Sequence, residues 1–77
     1  MPRTQDEIQA DLDRMIRASE RRLSAPYSKA FYERDYQEAR ERVLGDLDGE
    51  ARTFVTLAEN DQRRVFVDLL RRQFEGR

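Results

Sequence analysis

The chain has 77 residues, a length that allows one modest hydrophobic core, so we predict a single domain over 1–77. Charged residues make up 40% of the chain and apolar residues 38%, with a formal net charge of −1, a composition typical of a small acidic protein built from amphipathic helices. Cysteine and histidine do not occur, which removes disulfides, thiol nucleophiles, imidazole bases and the usual zinc sites.

The sequence gives no indication of a membrane or export segment. No run approaches the roughly 20 apolar residues that a bilayer-spanning helix needs, and residues 1–7 lack the apolar core of a signal peptide. We therefore expect a cytoplasmic protein without a membrane partner.

The first predicted helix covers about 4–23 and begins with a capping box. Thr4 and Glu7 have the spacing at which each side chain can bond a backbone N–H group of the other. Apolar and small residues then recur at steps of three and four, which predicts one buried stripe. The stripe comprises Ile8, Leu12, Met15, Ile16, Ser19 and Leu23.

The second predicted helix covers about 27–45. It begins with Pro26 at its first turn or with Ser28 as its cap, and Gly45 is a natural stop. A short connection between two long amphipathic helices favours an antiparallel hairpin. The inward positions of this helix, continued into the following turn, are Tyr32, Tyr36, Ala39, Val43 and Leu47.

Two shorter helices are predicted at about 48–59 and 61–75, with Asp46 or Asp48 as the cap of the first. The fold class is therefore all-α: an antiparallel hairpin plus two short helices in a compact three- to four-helix bundle. The inward positions expected of helix three are Ala51, Phe54, Val55 and Ala58. Those expected of helix four are Val65, Phe66, Leu69, Leu70 and Phe74, with Val67 pointing away from them.

The acidic residues between the second and third helices resemble a calcium loop in composition but not in register. If Asp46 is the first ligand, Ala51 occupies the position that needs glycine and Leu57 the position that needs glutamate. Capping and turn formation explain these acids better. We predict no metal, no cofactor and no catalytic residues.

Two surfaces are candidates for binding another protein. Tyr27 and Phe31 lie beside the predicted stripe of the second helix, where amphipathic rings are common at interface centres. Val67 and Phe74 belong to a broad apolar side of the last helix, which suggests either deep burial or a shared interface.

The last fifteen residues contain more arginines than acids, which raises nucleic-acid binding as an alternative. Helices three and four could form a helix-turn-helix that uses Arg63, Arg64, Arg71 and Arg72. The turn lacks glycine, the last helix is very apolar, and the net charge of the whole chain is −1, all of which weigh against this alternative.

The leading functional expectation is a non-catalytic helical module that binds another protein as an adaptor, inhibitor or assembly factor. Self-association into a homo-oligomer is one form of this expectation, because a broad apolar face on the last helix could be covered by a second copy. Carboxylates and tyrosines alone would have to perform any catalysis, so an enzyme is not indicated.

Overall fold

A computed structural model describes residues 3–24 and 28–75, which form four helices. They are α1 (Gln5–Ser24), α2 (Lys29–Gly45), α3 (Gly49–Ala58) and α4 (Arg63–Phe74). α1 packs along α2, α4 packs against α1, and α3 contacts α4. The predicted all-α bundle is confirmed, and no helix of this described part has the length and apolar character that crossing a bilayer requires.

Local hydrogen bonds account for several helix boundaries. The Glu7 backbone N–H donates to the Thr4 hydroxyl at 3.2 Å, while the Thr4 N–H reaches Oε1 of Glu7 at 3.4 Å, so the predicted capping box is present. Asp48 caps α3, because its Oδ1 accepts from the Ala51 N–H at 2.8 Å. Ser28 precedes α2 without a side-chain capping bond.

The core lies between α1, α2 and α4, and most positions predicted in α1 and α2 are in it. Leu23 is an exception, because it is 78% exposed. Arg64, near the start of α4, lies opposite Glu20, so the last turn of α1 extends past the helix that would cover Leu23. The buried apolar residues are Ile8, Leu12, Met15, Ala18, Tyr36, Ala39, Val43, Leu44, Leu47, Val55, Phe66, Val67, Leu70 and Phe74.

The inward face predicted for α4 is confirmed at Phe66, Leu70 and Phe74, but the prediction is wrong for the two valines. Val67 is 0% exposed and belongs to the core, whereas Val65, expected inside, is 54% exposed. The buried face contains Phe66, Val67, Leu70 and Phe74, whose spacing is also helical. Arg63 continues this face, and its ion pair with α2 fixes which side of α4 turns inward.

The inward face predicted for α3 is likewise only partly confirmed: Ala51 is partly buried against the core, but two other positions are wrong. Val55 is its buried residue, while Phe54 and Ala58, both expected inside, are exposed. Polar bonds made on the same side as Val55 explain this rotation. Arg52 donates to the Leu44 carbonyl at 3.0 Å, and Arg40 donates to Glu59 at the C-terminal end of α3 at 2.9 and 2.6 Å.

A charged residue is buried beside the apolar stripe of α1. The Asp11 side chain accepts hydrogen bonds from Arg42 of α2 at 2.9 to 3.2 Å and from Arg3, and Arg3 also bonds Asp46. Burial alone would raise the pKa of Asp11, but these arginines outweigh it, so the pKa lies below its usual value. This network connects the start of α1 to the end of α2.

Candidate protein-interaction surfaces

The outer side of α3 presents large apolar side chains to solvent. Phe54 is 56% exposed and Leu57 is 82% exposed. Glu50 lies four residues before Phe54, so these three side chains share one side of the helix. We call Glu50, Phe54 and Leu57 the α3 outer face.

The α3 outer face adjoins a shallow depression of about 330 Å³ between α3 and the last turn of α4. Besides Phe54, its lining includes the carboxylates of Asp48 and Glu50 together with Ala51 and Gln73. Asp48 uses one carboxylate oxygen to cap α3. This side of the molecule therefore combines apolar rings and methyl groups with negative charge.

A second surface lies along the flank of α1 that faces α2. Arg14, Arg17 and Arg21 follow one another at steps of three and four, and Phe31 and Tyr32 of α2 stand beside them. The two rings meet edge to face with their centroids 5.3 Å apart, and Phe31 is 57% exposed. The groove between them measures about 460 Å³ and is completed by Ala18 and Asp35. We call it the hairpin groove.

The charges of the hairpin groove are only partly matched within the molecule. Arg14 has carboxylate oxygens of Asp11 and Asp35 at 3.8 and 3.9 Å. Arg17 and Arg21 are exposed, and neither has an ion-pair partner within residues 3–24 and 28–75. On the opposite flank of α1 the charges do pair across to α4.

Two acids on this opposite flank of α1 form ion pairs with arginines of α4. Asp13 lies 3.5 Å from Arg71, and Glu20 lies 3.4 Å from Arg64. Such exposed pairs stabilise the fold little. Even so, Asp13 and Glu20 each have an arginine partner on α4, whereas Arg17 and Arg21 have no carboxylate partner in the described part of the chain.

The partner-binding residues predicted from the sequence have different environments. Phe31 is exposed as expected, and Tyr27 lies outside the described residues. Val67 and Phe74 are buried in the monomer, with Phe74 5% exposed, because α4 packs this side onto the rest of the bundle. They are therefore not accessible to a partner in the folded monomer, and α4 needs no second copy to cover them.

The four arginines predicted for nucleic-acid binding do not form one open surface. Arg63 donates to both carboxylate oxygens of Glu33 at 2.6 and 2.7 Å, and its guanidinium carbon lies 4.0 Å from the centre of the Tyr36 ring. Arg71 faces acids on α1 and on its own helix at 3.5 Å. Arg64 and Arg72 are exposed.

The Arg63 contact changes the titration of its partner. Two hydrogen bonds from Arg63 hold the pKa of Glu33 at about 2, because they stabilise the charged carboxylate more than its partial burial destabilises it. Burial raises the pKa of the adjacent Tyr36 hydroxyl. Glu33, Arg63 and Tyr36 thus form a structural link between α2 and α4.

Acidic clusters suited to a metal ion are not present in the part of the chain that the structure describes. Asp46 bonds Arg3 and Asp48 caps α3, so two of the three acids that resemble a calcium loop, the third being Glu50, have structural roles. No protein-family model, curated protein or solved structure matches this chain significantly.

Proposed function

We propose that this chain is a small non-catalytic helical module that binds another protein through the α3 outer face. The exposure of Phe54 and Leu57 on one side of a tethered helix carries the proposal. Clustered apolar side chains on a soluble domain are characteristic of interaction sites, whereas isolated ones are common.

The tethering of α3 makes this exposure significant. If α3 were free to rotate, burial of Phe54 would be favourable by about 1.5–3 kcal/mol. The hydrogen bonds of Arg52 and Glu59 instead hold the helix with Phe54 and Leu57 outward. Such a preorganised apolar face can bind a partner without first paying for a conformational change.

The polar groups of the bundle support a non-catalytic role. Three carboxylates accept short hydrogen bonds from arginines of neighbouring parts of the bundle. They are Asp11, Glu33 and Glu59. A general acid or base needs a group that can exchange protons near neutral pH. Their arginine partners lower the pKa values of Asp11 and Glu33, so these two groups stay charged near neutral pH. The Glu59 carboxylate accepts two hydrogen bonds from Arg40.

Affinity capture from cells that express the protein naturally tests the proposal. The wild-type chain should retain a specific partner, and the Phe54→Ser/Leu57→Ser variant should lose it. The matched control is Leu23→Ser/Val65→Ser, which removes two other exposed apolar side chains and should bind as the wild type does. Equal capture by all three proteins would refute an interaction through the α3 outer face.

Nucleic-acid binding is the competing proposal, and the exposure of Arg64 and Arg72 on α4 is the observation that favours it. Phosphate contacts would make affinity for a DNA duplex fall steeply as salt rises, with a slope that decreases when these arginines become glutamine. Binding to DNA that is insensitive to salt and to Arg64→Gln/Arg72→Gln would contradict it.

A further inference from the structure

We propose that the hairpin groove receives the α3 outer face of a second copy, so that the chain assembles head to tail. The inference rests on the proposed function, because it names one partner for the α3 outer face. Both surfaces belong to this chain, and the complementarity between them supports the pairing.

The hairpin groove and the α3 outer face carry opposite charges. The hairpin groove presents Arg17 and Arg21 without carboxylate partners in residues 3–24 and 28–75. The α3 outer face presents Glu50, with Asp48 alongside it. A carboxylate that enters the groove would therefore meet two guanidinium groups whose charge the monomer leaves unmatched, and Arg pairs well with carboxylates in a bidentate geometry.

The two surfaces also present apolar groups to each other. The exposed ring of Phe31 lines the hairpin groove together with Tyr32 and Ala18. Phe54 and Leu57 can cover these groups and the aliphatic parts of the arginines. Contact would thus remove apolar surface from water on both copies.

The global charge permits such an assembly. A net charge of −1 gives two copies almost no mutual repulsion, which favours association of complementary patches. The same low net charge gives no long-range attraction to a nucleic acid, so the positive groove is better suited to a local acidic surface than to a polyanion.

The geometry of the pairing makes it distinguishable from other forms of self-association. The two surfaces are different patches of one chain, so the contact is heterologous and propagates into a ring or an open chain unless two copies engage each other reciprocally. Each copy then has one donor surface and one acceptor surface. If the hairpin groove is blocked on one copy and the α3 outer face on the other, only one contact between the two copies remains possible.

Sedimentation velocity over about 1–500 µM, at low salt and in 0.5 M NaCl, tests this pairing. The wild type should exceed its monomer mass of 9.2 kDa as concentration rises, and high salt should weaken association. Arg17→Glu/Arg21→Glu and Phe54→Ser/Leu57→Ser should each stay monomeric, with affinity reduced on the order of tenfold or more. Lys29→Glu/Arg72→Glu carries the same charge change as the groove variant and should still associate.

A mixture of the two inactive variants provides the decisive observation. An equimolar mixture should form dimers and nothing larger, because only the intact groove of one variant and the intact α3 outer face of the other can meet. Recovery of association on mixing also shows that both variants are folded, and circular dichroism checks each one separately.

Three results would overturn the inference: a wild type that stays monomeric at every concentration, a groove variant that associates like the wild type, or a mixture that shows no recovery. If the wild type stays monomeric but still captures a different protein through Phe54 and Leu57, the inference fails while the proposed function stands. If the wild type neither associates nor captures another protein through Phe54 and Leu57, the proposed function is rejected as well.

Discussion

The orientation of α4 predicts that two valines, only two residues apart, respond very differently to the same substitution. Val67 is 0% exposed and Val65 is 54% exposed. Val67→Ala should therefore destabilise the fold substantially, and Val65→Ala should leave it almost unchanged. Because the two variants have identical composition, any difference between them reports the direction in which α4 faces.

The expected magnitude follows from burial and helix propensity. Removing two buried methyl groups of Val67 costs about 1.6 kcal/mol of transfer free energy, and a residual cavity adds about 1 kcal/mol. Alanine returns about 0.6 kcal/mol through its better helix propensity. The net loss is thus about 2 kcal/mol for Val67→Ala, whereas at Val65 the smaller transfer loss and the propensity gain roughly cancel.

Urea unfolding followed by circular dichroism at 222 nm measures both free energies of unfolding. Val67→Ala should lower the midpoint without changing the slope of the transition, and its melting temperature should fall by roughly 8–16 °C. Equal destabilisation by the two variants, or a larger effect at Val65, would show that α4 does not face the core as described.

Further predictions concern the polar contacts. The pKa of Glu33 is lowered to about 2 from 4.5, so the stabilisation from its pair with Arg63 is complete above about pH 4.5 and disappears as pH falls through 2. Glu33→Gln should therefore lose about 1 kcal/mol of acid-dependent stability, after allowance for solvent screening, when urea midpoints are compared at pH 5 and pH 2. Asp48→Ala should cost about 1 kcal/mol through loss of the α3 cap, and Asp48→Asn should restore most of it in the same assay. Asp11→Ala should cost roughly 2 kcal/mol because its hydrogen bonds to arginine are lost, while the exposed control Asp13→Ala should change thermal stability by less than about 0.5 kcal/mol; equal losses at the two aspartates would contradict the buried network.

The longer helices could be predicted from the sequence because their signals are local and agree with one another. Thr4 and Glu7 mark the start of α1, and Gly45 marks the end of α2. In both helices the apolar residues occupy a narrow stripe, so one rotation about the helix axis buries them and others do not. The hairpin core follows directly from these stripes.

The short helices could be oriented only approximately from the sequence, because their apolar residues surround too much of the helix. In α4, Val65 and Val67 lie on nearly opposite sides, and either could face inward. The bond between Arg63 and Glu33, thirty positions apart in the chain, decides between them. A contact of that kind is not visible in local periodicity.

Apart from Phe31, the residues of the candidate surfaces could not be identified from the sequence for the same reason. Leu57 lies off the stripe predicted for α3, and its exposure depends on the bonds of Arg52 and Glu59. Arg17 and Arg21 resemble ordinary arginines near the C-terminal end of a helix. Their spacing with Arg14 was the available signal, but their lack of partners becomes evident only when α2 is in place.

Photo-cross-linking in the cells that produce the protein tests the central claim, that it acts by binding protein through the α3 outer face. A benzoyl-phenylalanine residue in place of Leu57 should give discrete protein adducts on irradiation. The same residue in place of Val65, which is also exposed but lies on α4, should give none. Absence of adducts from position 57, or the same adducts from both positions, would contradict the claim.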